Sequence, residues 1–523
     1  MLTILFSALA LAGCSIAHDA PVNTTTCDSQ KYTYRALAGF GTVRSTARDK
    51  YGDTLGSLGS AVALEPGSWT YNSSSLTYYG VLWTQPDRGW NTNGTLNYIP
   101  RVHKFAVAFA PNASASPDDP APPNLRFDYL DTRLYQAPDG APLTGLDADA
   151  SGATSFPGFP DLPVATYTGD GFGRSGSGGR RVPVDAEGLV LAADGGFWVS
   201  DEYGPYIYKF SSEGRMEEAI RPPDAYIPIR NGSESFSADS PPLYAPSLAP
   251  VPPDPSSGRT NNQGFEGLAV SPSGTTLSAL LQSALIQDGG TAKSTSRHAR
   301  LVQYDITSSP AVLAAEFVVP LPLYTNADGK TRVAGQSSIV ALSETQFLVL
   351  ARDSGAGRAQ DETKSVYRHV DVFDVADATD LRSLHGVDAV GGSVVSDDGV
   401  LRDDVVPAAY CPWLDYNVES QLERFGLRNG GEDGEALLSE KWESLVVVPV
   451  LEGGGACGDG LMQGEEGGWD TEGNGQDVYI FSLSDNDFIT QDGYLDGGSF
   501  RYSDGSGQSV DTQALVFRAT LPA

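Results

Sequence analysis

The sequence predicts an all-β fold: a β-propeller of five to six blades around a central channel, with long loop insertions. Three observations predict it. Strand–turn–strand units with apolar strands recur along the chain, a pattern that marks a propeller or array more often than a sandwich. The 59 Gly and 34 Pro of the 523 residues supply turns, while long helix-period segments are few. Each unit also opens and closes on charged residues, as strands do when they share a polar end.

The chain starts with an apolar run, Leu2 to Ala12, followed by small residues, so residues 1–17 read as a signal peptide. Leu11-Ala12-Gly13-Cys14 offers an alternative, a lipoprotein box that would leave the protein lipid-anchored through Cys14. N-x-S/T sequons at Asn23, Asn72, Asn93, Asn112 and Asn231 favour secretion and glycosylation. The propeller domain is expected over residues 32–521. A degenerate first unit spans Ser60–Leu64 and Tyr79–Thr84, with Val102–Phe109 beyond. The clearest unit follows: Asp185-Ala186-Glu187-Gly188, strand Leu189–Ala192, a turn at Asp194-Gly195, strand Phe197–Ser200, then Asp201-Glu202-Tyr203-Gly204. The third has Gly264-Phe265-Glu266-Gly267 before Leu268–Ser271 and Thr276–Leu281. A fourth pairs Ser338–Leu342 with Phe347–Leu350, ending Arg352-Asp353. The fifth begins Lys441-Trp442-Glu443, runs through Leu445–Val450 and resumes at Val478–Ser482 before Asp485-Asn486-Asp487. Insertions fall near 222–258, 385–440 and 452–476, with one short helix expected around Val418–Phe425. A sixth blade would need the C-terminal strand Ala514–Ala519 to close on the N-terminal strand Tyr32–Leu37.

Composition narrows the function. The formal charge of −32 leaves no basic surface to meet phosphates, which excludes nucleic acid as a partner and disfavours anionic lipid. After the leader, no run approaches the ~20 apolar residues of a membrane span. The protein is expected to be a monomer. With Cys14 removed, Cys27, Cys411 and Cys457 remain. Cys411–Cys457 is the expected disulfide, with Cys27 free or paired with one of them instead.

Hairpin geometry places the charged residues. In an antiparallel pair the start of the first strand lies beside the end of the second. Glu187 therefore meets Asp201 and Glu202, Glu266 meets Gln282, and Glu443 meets Asp485 and Asp487. Asp87-Arg88 and Arg352-Asp353 take equivalent positions. In a propeller these groups converge on one mouth of the channel. Crowded carboxylates repel one another unless compensated. Arg88, Arg352 and Lys441 could compensate as a salt-bridge network, or a hard cation could sit among the oxygens. Calcium, with six to eight oxygen ligands, suits this inventory.

At Glu187-Gly188-Leu189, Ser200-Asp201-Glu202-Tyr203-Gly204, Gly264-Phe265-Glu266-Gly267-Leu268 and Asp485-Asn486-Asp487 the sequence resembles the phytase-like (esterase-like activity of phytase) family, over roughly residues 55 to 490. The resemblance implies a propeller, export, and hydrolysis of phosphate or carboxylate esters. Two departures stand out: Ser444 follows Glu443 where Gly is expected, and the 222–262 segment is long. Rival templates fail. Gly173-Arg174-Ser175-Gly176-Ser177 lacks the last Gly of a nucleophile elbow. Arg297-His298-Ala299-Arg300 lacks the Gly of a histidine acid phosphatase motif.

The resulting expectation is a metal-assisted hydrolase of a small-molecule ester or phosphoester. Glu187, Glu266 and Glu443 are the expected catalytic carboxylates, and Asp201, Glu202, Asp485 and Asp487 the expected Ca2+ ligands. Arg88, Tyr203, Arg352, Asp353 and Lys441 are the expected substrate contacts. The alternative is a non-catalytic binding propeller, with Tyr203, Trp442 and Phe488 offering aromatic surface at the same mouth.

Overall fold

A computed structural model describes residues 20–396, 399–451 and 475–522. The leader, Cys14 and Cys457 lie outside the described residues. Blade 1 runs outward from Ala61–Leu64 through Thr77–Gln85 and Arg101–Phe109 to Leu125–Leu134. Blade 2 comprises Ala186–Leu191, Phe197–Asp201, Ile207–Phe210 and Met216–Ile220. Blade 3 comprises Phe265–Val270, Thr276–Leu281, His298–Asp305 and Val312–Pro320. Blade 4 comprises Gly335–Ala341, Gln346–Arg352, Arg368–Asp374 and Ala409–Asp415. Each sheet is an antiparallel meander, and the innermost strands of the blades line a channel of about 260 Å³.

Blade 5 closes the ring with both ends of the chain. Outward from Val446–Pro449 and Gly475–Leu483 come the C-terminal strand Thr512–Pro522, then the N-terminal strands Gln30–Val43 and Asn23–Cys27. The closure expected from the sequence therefore forms, with Tyr34 opposite Ala519 and Phe40 opposite Leu515. It completes the fifth blade and builds no sixth. The reason is that Gly475–Leu483 pairs along its whole length with the C-terminal strand, so the two belong to one sheet. Joining the termini this way leaves neither end of the ring free to open.

The strands carry near-continuous apolar runs because blades stack face to face and bury both sides of each sheet. Phe197–Asp201 is buried at every position. Between blades 1 and 2, Tyr135 stacks on Phe210 at 4.6 Å and Trp83 tilts against Phe197. Between blades 5 and 1, Trp69 meets Phe481 edge-on and Tyr78 meets Tyr479 edge-on at 5.3 Å. A short helix forms at Glu419–Leu422, continuing as a 3-10 turn over Glu423–Phe425, where the sequence indicates one. The 385–440 segment also supplies the outermost strand of blade 4, so it is only partly an insertion. No helix among the described residues is long and apolar enough to cross a membrane.

The expected Cys411–Cys457 bridge is corrected. Cys411 is bonded to Cys27, with the Cα atoms 5.7 Å apart across 384 residues of sequence. Ring closure lays the outermost strand of blade 5 against the outermost strand of blade 4, a proximity that short sequence separation cannot reveal.

Loops between blades build a cap over one end of the channel. Asp147 ties two of them together, accepting from the Ser237 hydroxyl at 2.7 Å and from the amides of Ala238 and Ser240 at 2.7 and 2.9 Å. The 222–258 insertion is thus part of that cap.

Candidate functional site: a buried acidic mouth

The inner strands of blades 2, 3 and 4 each start with a β-bulge. Register slips between Ala186 and Leu189, between Phe265 and Gly267, and between Gln336 and Ser338. A bulge re-aims the side chain that carries it. Here those side chains are Glu187, Glu266 and Ser337, and both glutamates line the channel. Glu443 takes the same place in blade 5, one residue after the Trp442–Ser484 bridge, and Ser60 takes it in blade 1, one residue after the Gly59–Gln85 bridge. The five blades thus present Ser60, Glu187, Glu266, Ser337 and Glu443 at equivalent positions.

The residue after each is small because the mouth is narrow. A Cβ on Gly188 would lie 2.4 Å from that of Leu268 and 2.5 Å from the Ser200 hydroxyl. On Gly267 it would lie 2.8 Å from Oε1 of Gln336. Ser444 meets the same demand in blade 5: it is fully buried, and its hydroxyl accepts from the Leu483 amide at 3.3 Å.

Second-strand ends complete the mouth. The ion pair Arg88–Asp185 is 2.9 Å long, and Arg88 lies 5.7 Å over the Tyr203 ring. Arg352 pairs with Glu443, and Lys441 pairs with Asp487 at 2.7 Å. The Gln282 amide donates to Oε1 of Glu266, and the Ser60 hydroxyl donates to Oδ2 of Asp485 at 2.6 Å. Among the described residues, Asp185, Glu187 and Glu202 bring one carboxylate oxygen each within 4.8 Å of one another. Glu202 Oε1, Asp185 Oδ1 and Glu266 Oε2 are buried with no hydrogen-bond donor.

The electrostatics follow from burial and crowding. Burial, then Glu266, Asp185, Glu202 and Glu443, drives the Glu187 carboxyl well above its ordinary range. Glu266 rises likewise through burial and the charges of Glu202 and Glu443, against Arg352 and Lys441. Glu202 is pushed up to about 8 by burial and Asp185, although Arg88 pulls the other way. Asp87 is raised by burial and by Asp485 and Asp185. This is the behaviour of several carboxylates sharing one low-dielectric pocket with too few cations.

The geometry redistributes the residues singled out in the sequence. Glu187, Glu266, Glu443, Glu202 and Asp485 do share one mouth. Asp201 turns away into its own loop, where it accepts from the amides of Asp185, Tyr203 and Gly204 at 2.9 Å each and from the Tyr208 hydroxyl, so its lone pairs are already taken. Asp353 does the same in blade 4, accepting from the Ser365 hydroxyl and the Val366 amide. Asp487 serves Lys441 at the partly exposed margin. Tyr203, Trp442 and Phe488 are fully buried and offer no surface. Tyr203 underlies Arg88, Trp442 packs on Tyr416, and Phe488 meets Tyr98. Arg300 is likewise structural, buried between Asp288 and Glu316. Sequence reasoning missed Asp185, which stands two residues before Glu187. It also missed Ser60 and Ser337, which carry no charge but occupy the glutamate position, as alignment of the strand starts shows.

The fold and site together define a five-bladed propeller with a capped, carboxylate-rich channel mouth. The chain belongs to the phytase-like family, described as esterase-like activity of phytase, whose pattern matches residues 121–453. It is 50% identical over 479 residues, 90% of each chain, to an "Uncharacterized secreted protein" of Arthroderma benhamiae. Solved structures resemble it far less. A GH43 protein of Bacillus licheniformis aligns over 96% of each chain at 10% identity and a TM-score of 0.23. The Dos1 propeller aligns over 92% of this chain and 94% of its own at 8% identity and a TM-score of 0.24. Likenesses this faint bear on neither fold nor activity.

Proposed function

We propose that this chain is a secreted, glycosylated propeller that holds a hard divalent cation, calcium by ligand type, at Asp185, Glu187 and Glu202, and hydrolyses phosphate or carboxylate esters there. One observation carries the reading. Asp87, Asp185, Glu187, Glu202, Glu266, Glu443 and Asp485 are all buried at one mouth, while among the described residues Arg88, Arg259, Arg352 and Lys441 stand against these seven. Several buried negative charges without partners are too costly to persist unless protons or a cation neutralise them. The donor set, three carboxylate oxygens within 4.8 Å plus unpartnered oxygens of Glu202 and Asp185, fits a hard cation. Export rests on the leader and the name of the relative. Glycosylation rests on the sequons, of which Asn23, Asn72, Asn93 and Asn231 are exposed and Asn112 half-buried.

When bound, such a cation polarises an ester oxygen and acidifies a water. The protein's own groups do the rest. Arg88 orients Asp185, and Arg352 holds Glu443. Glu266, with Oε1 fixed by Gln282, keeps Oε2 free to take or give a proton. Lys441, whose side chain is 28% exposed, gives an anionic ester its first contact.

A second reading, a non-catalytic binding propeller with a cation held for stability, draws on the burial of the mouth: Glu187 is 6% exposed and Glu443 3%. Hydrolysis of p-nitrophenyl phosphate and p-nitrophenyl acetate, with EDTA or added calcium, separates the two. Chelation is expected to abolish turnover and lower the Tm, and calcium to restore both. At a hundredfold excess over Kd, binding stabilises by about 2.7 kcal/mol. Glu187→Gln should lose most of that response. A chelator-sensitive Tm without turnover selects the binding propeller. A Tm indifferent to chelator, with Arg352→Ala damaging instead, removes the cation.

A further inference from the structure

Beside blade 1, outside the acidic mouth, the segments 51–53, 97–101, 167–181 and 496–497 enclose a cavity of about 440 Å³. That lies in the range of small-molecule sites, about 300–1,000 Å³. None of the carboxylates at the channel mouth lines it.

Its lining is built. Arg101 is buried and donates to Asp49 at 2.6 Å, and it lies 2.9 Å from Asp53. Its guanidinium sits 4.5 Å over the Tyr98 ring, and the Tyr98 hydroxyl is buried with no hydrogen-bond partner. Opposite, Arg181 lies 5.4 Å over the Tyr167 ring and donates to the side-chain Oδ1 of Asn97 at 3.0 Å. Phe172 adds an apolar face.

The charges select the ligand class. Asp49 and Asp53 share Arg101, Asp170 and Asp496 share Arg174, and Arg181 has no acidic partner among the described residues. An anion would face Asp53, Asp170 and Asp496 for one guanidinium, that of Arg181, whose partner is the neutral Asn97 amide. An apolar ligand would strand the buried donors and acceptors at a cost of about 1–3 kcal/mol each. A neutral, hydroxyl-rich ligand satisfies both sets at once: hydroxyls donate to carboxylates and accept from guanidinium, while its C–H faces pack on Tyr167 and Phe172. We propose that this cavity is a carbohydrate-binding site for a neutral mono- or disaccharide, separate from the acidic mouth.

Saturation-transfer NMR on the full chain with maltose, cellobiose, xylobiose and mannobiose tests it, with titration calorimetry of inorganic phosphate as the anionic comparison. At least one disaccharide should show transfer. Ser177→Trp, which places a ring at the exposed rim, and Arg181→Met, which keeps the stem on Tyr167, should each weaken binding at least tenfold at an unchanged Tm. Glu187→Gln should bind the sugar as the wild type does, which separates this site from the fate of the ester reading. Absence of transfer from all four sugars, transfer that Ser177→Trp leaves intact, or phosphate binding lost in Arg181→Met without any sugar binding would each overturn the proposal.

Discussion

Arg352 and Glu443 show how much rests on single side chains at the mouth. Both are buried, at 7% and 3% exposure, and Arg352 is the nearer of the two ion partners of Glu443, the other being Lys441 at 3.7 Å. Removing the guanidinium leaves the buried Glu443 carboxylate only the longer 3.7 Å contact with Lys441, so Arg352→Met is expected to destabilise by about 3 kcal/mol. Denaturant unfolding in EDTA, where no cation can substitute, is the measurement; a loss under about 1 kcal/mol would show the pair to be dispensable. At this scale the sequence was legible for charged residues and misleading for aromatics. Glu187, Glu266 and Glu443 are readable because strand starts and charge coincide. Tyr203, Trp442 and Phe488 have the same sequence neighbourhood yet sit in the core, because the loops that bury them are brought there from other blades.

Elements set where those side chains point. The bulges at 187–188 and 266–267 require a residue with no Cβ where the neighbouring inner strand passes. Gly188→Ala should therefore cost about 1–3 kcal/mol through overpacking. Ser444→Gly should cost only about 1 kcal/mol, the worth of one hydrogen bond. Equal losses from the two, by thermal or urea unfolding, would refute the steric account. The blade 3 strands carry a pH response of their own. Burial and Asp388 push Glu316 up to about 8, against the pull of Arg300, while the Tyr226 hydroxyl donates to it at 2.8 Å. A carboxyl raised in the folded state keeps a proton that the unfolded chain has already lost. Stability from it is thus full below the ordinary carboxyl range and falls as pH climbs through about 8. Over that window the Tm of the wild type should fall a few degrees further than that of Glu316→Gln. Parallel Tm–pH curves would remove Glu316 as the source.

The whole molecule depends on how its ends are joined. The Cys27–Cys411 bridge fastens the N-terminal strand to blade 4, reinforcing the closure made by the two terminal strands. Cys27→Ser is expected to cost about 2–5 kcal/mol. Non-reducing peptide mapping should recover the peptides around 27 and 411 as one species; recovery of Cys411 joined to Cys457 would contradict the structure. Sequence alone determined the β class, the repeated hairpins, the acidic strand ends and the short helix near 418–425. These follow from apolar runs, turn residues and charge, which act over a few residues. Tertiary structure alone decided that there are five blades, that Cys27 rather than Cys457 meets Cys411, that Asp185 joins Glu187 and Glu202 while Asp201 turns away, and that the mouth is capped. Each of those depends on which distant segments the closed ring brings together, and a chain read from end to end carries no distance between its ends.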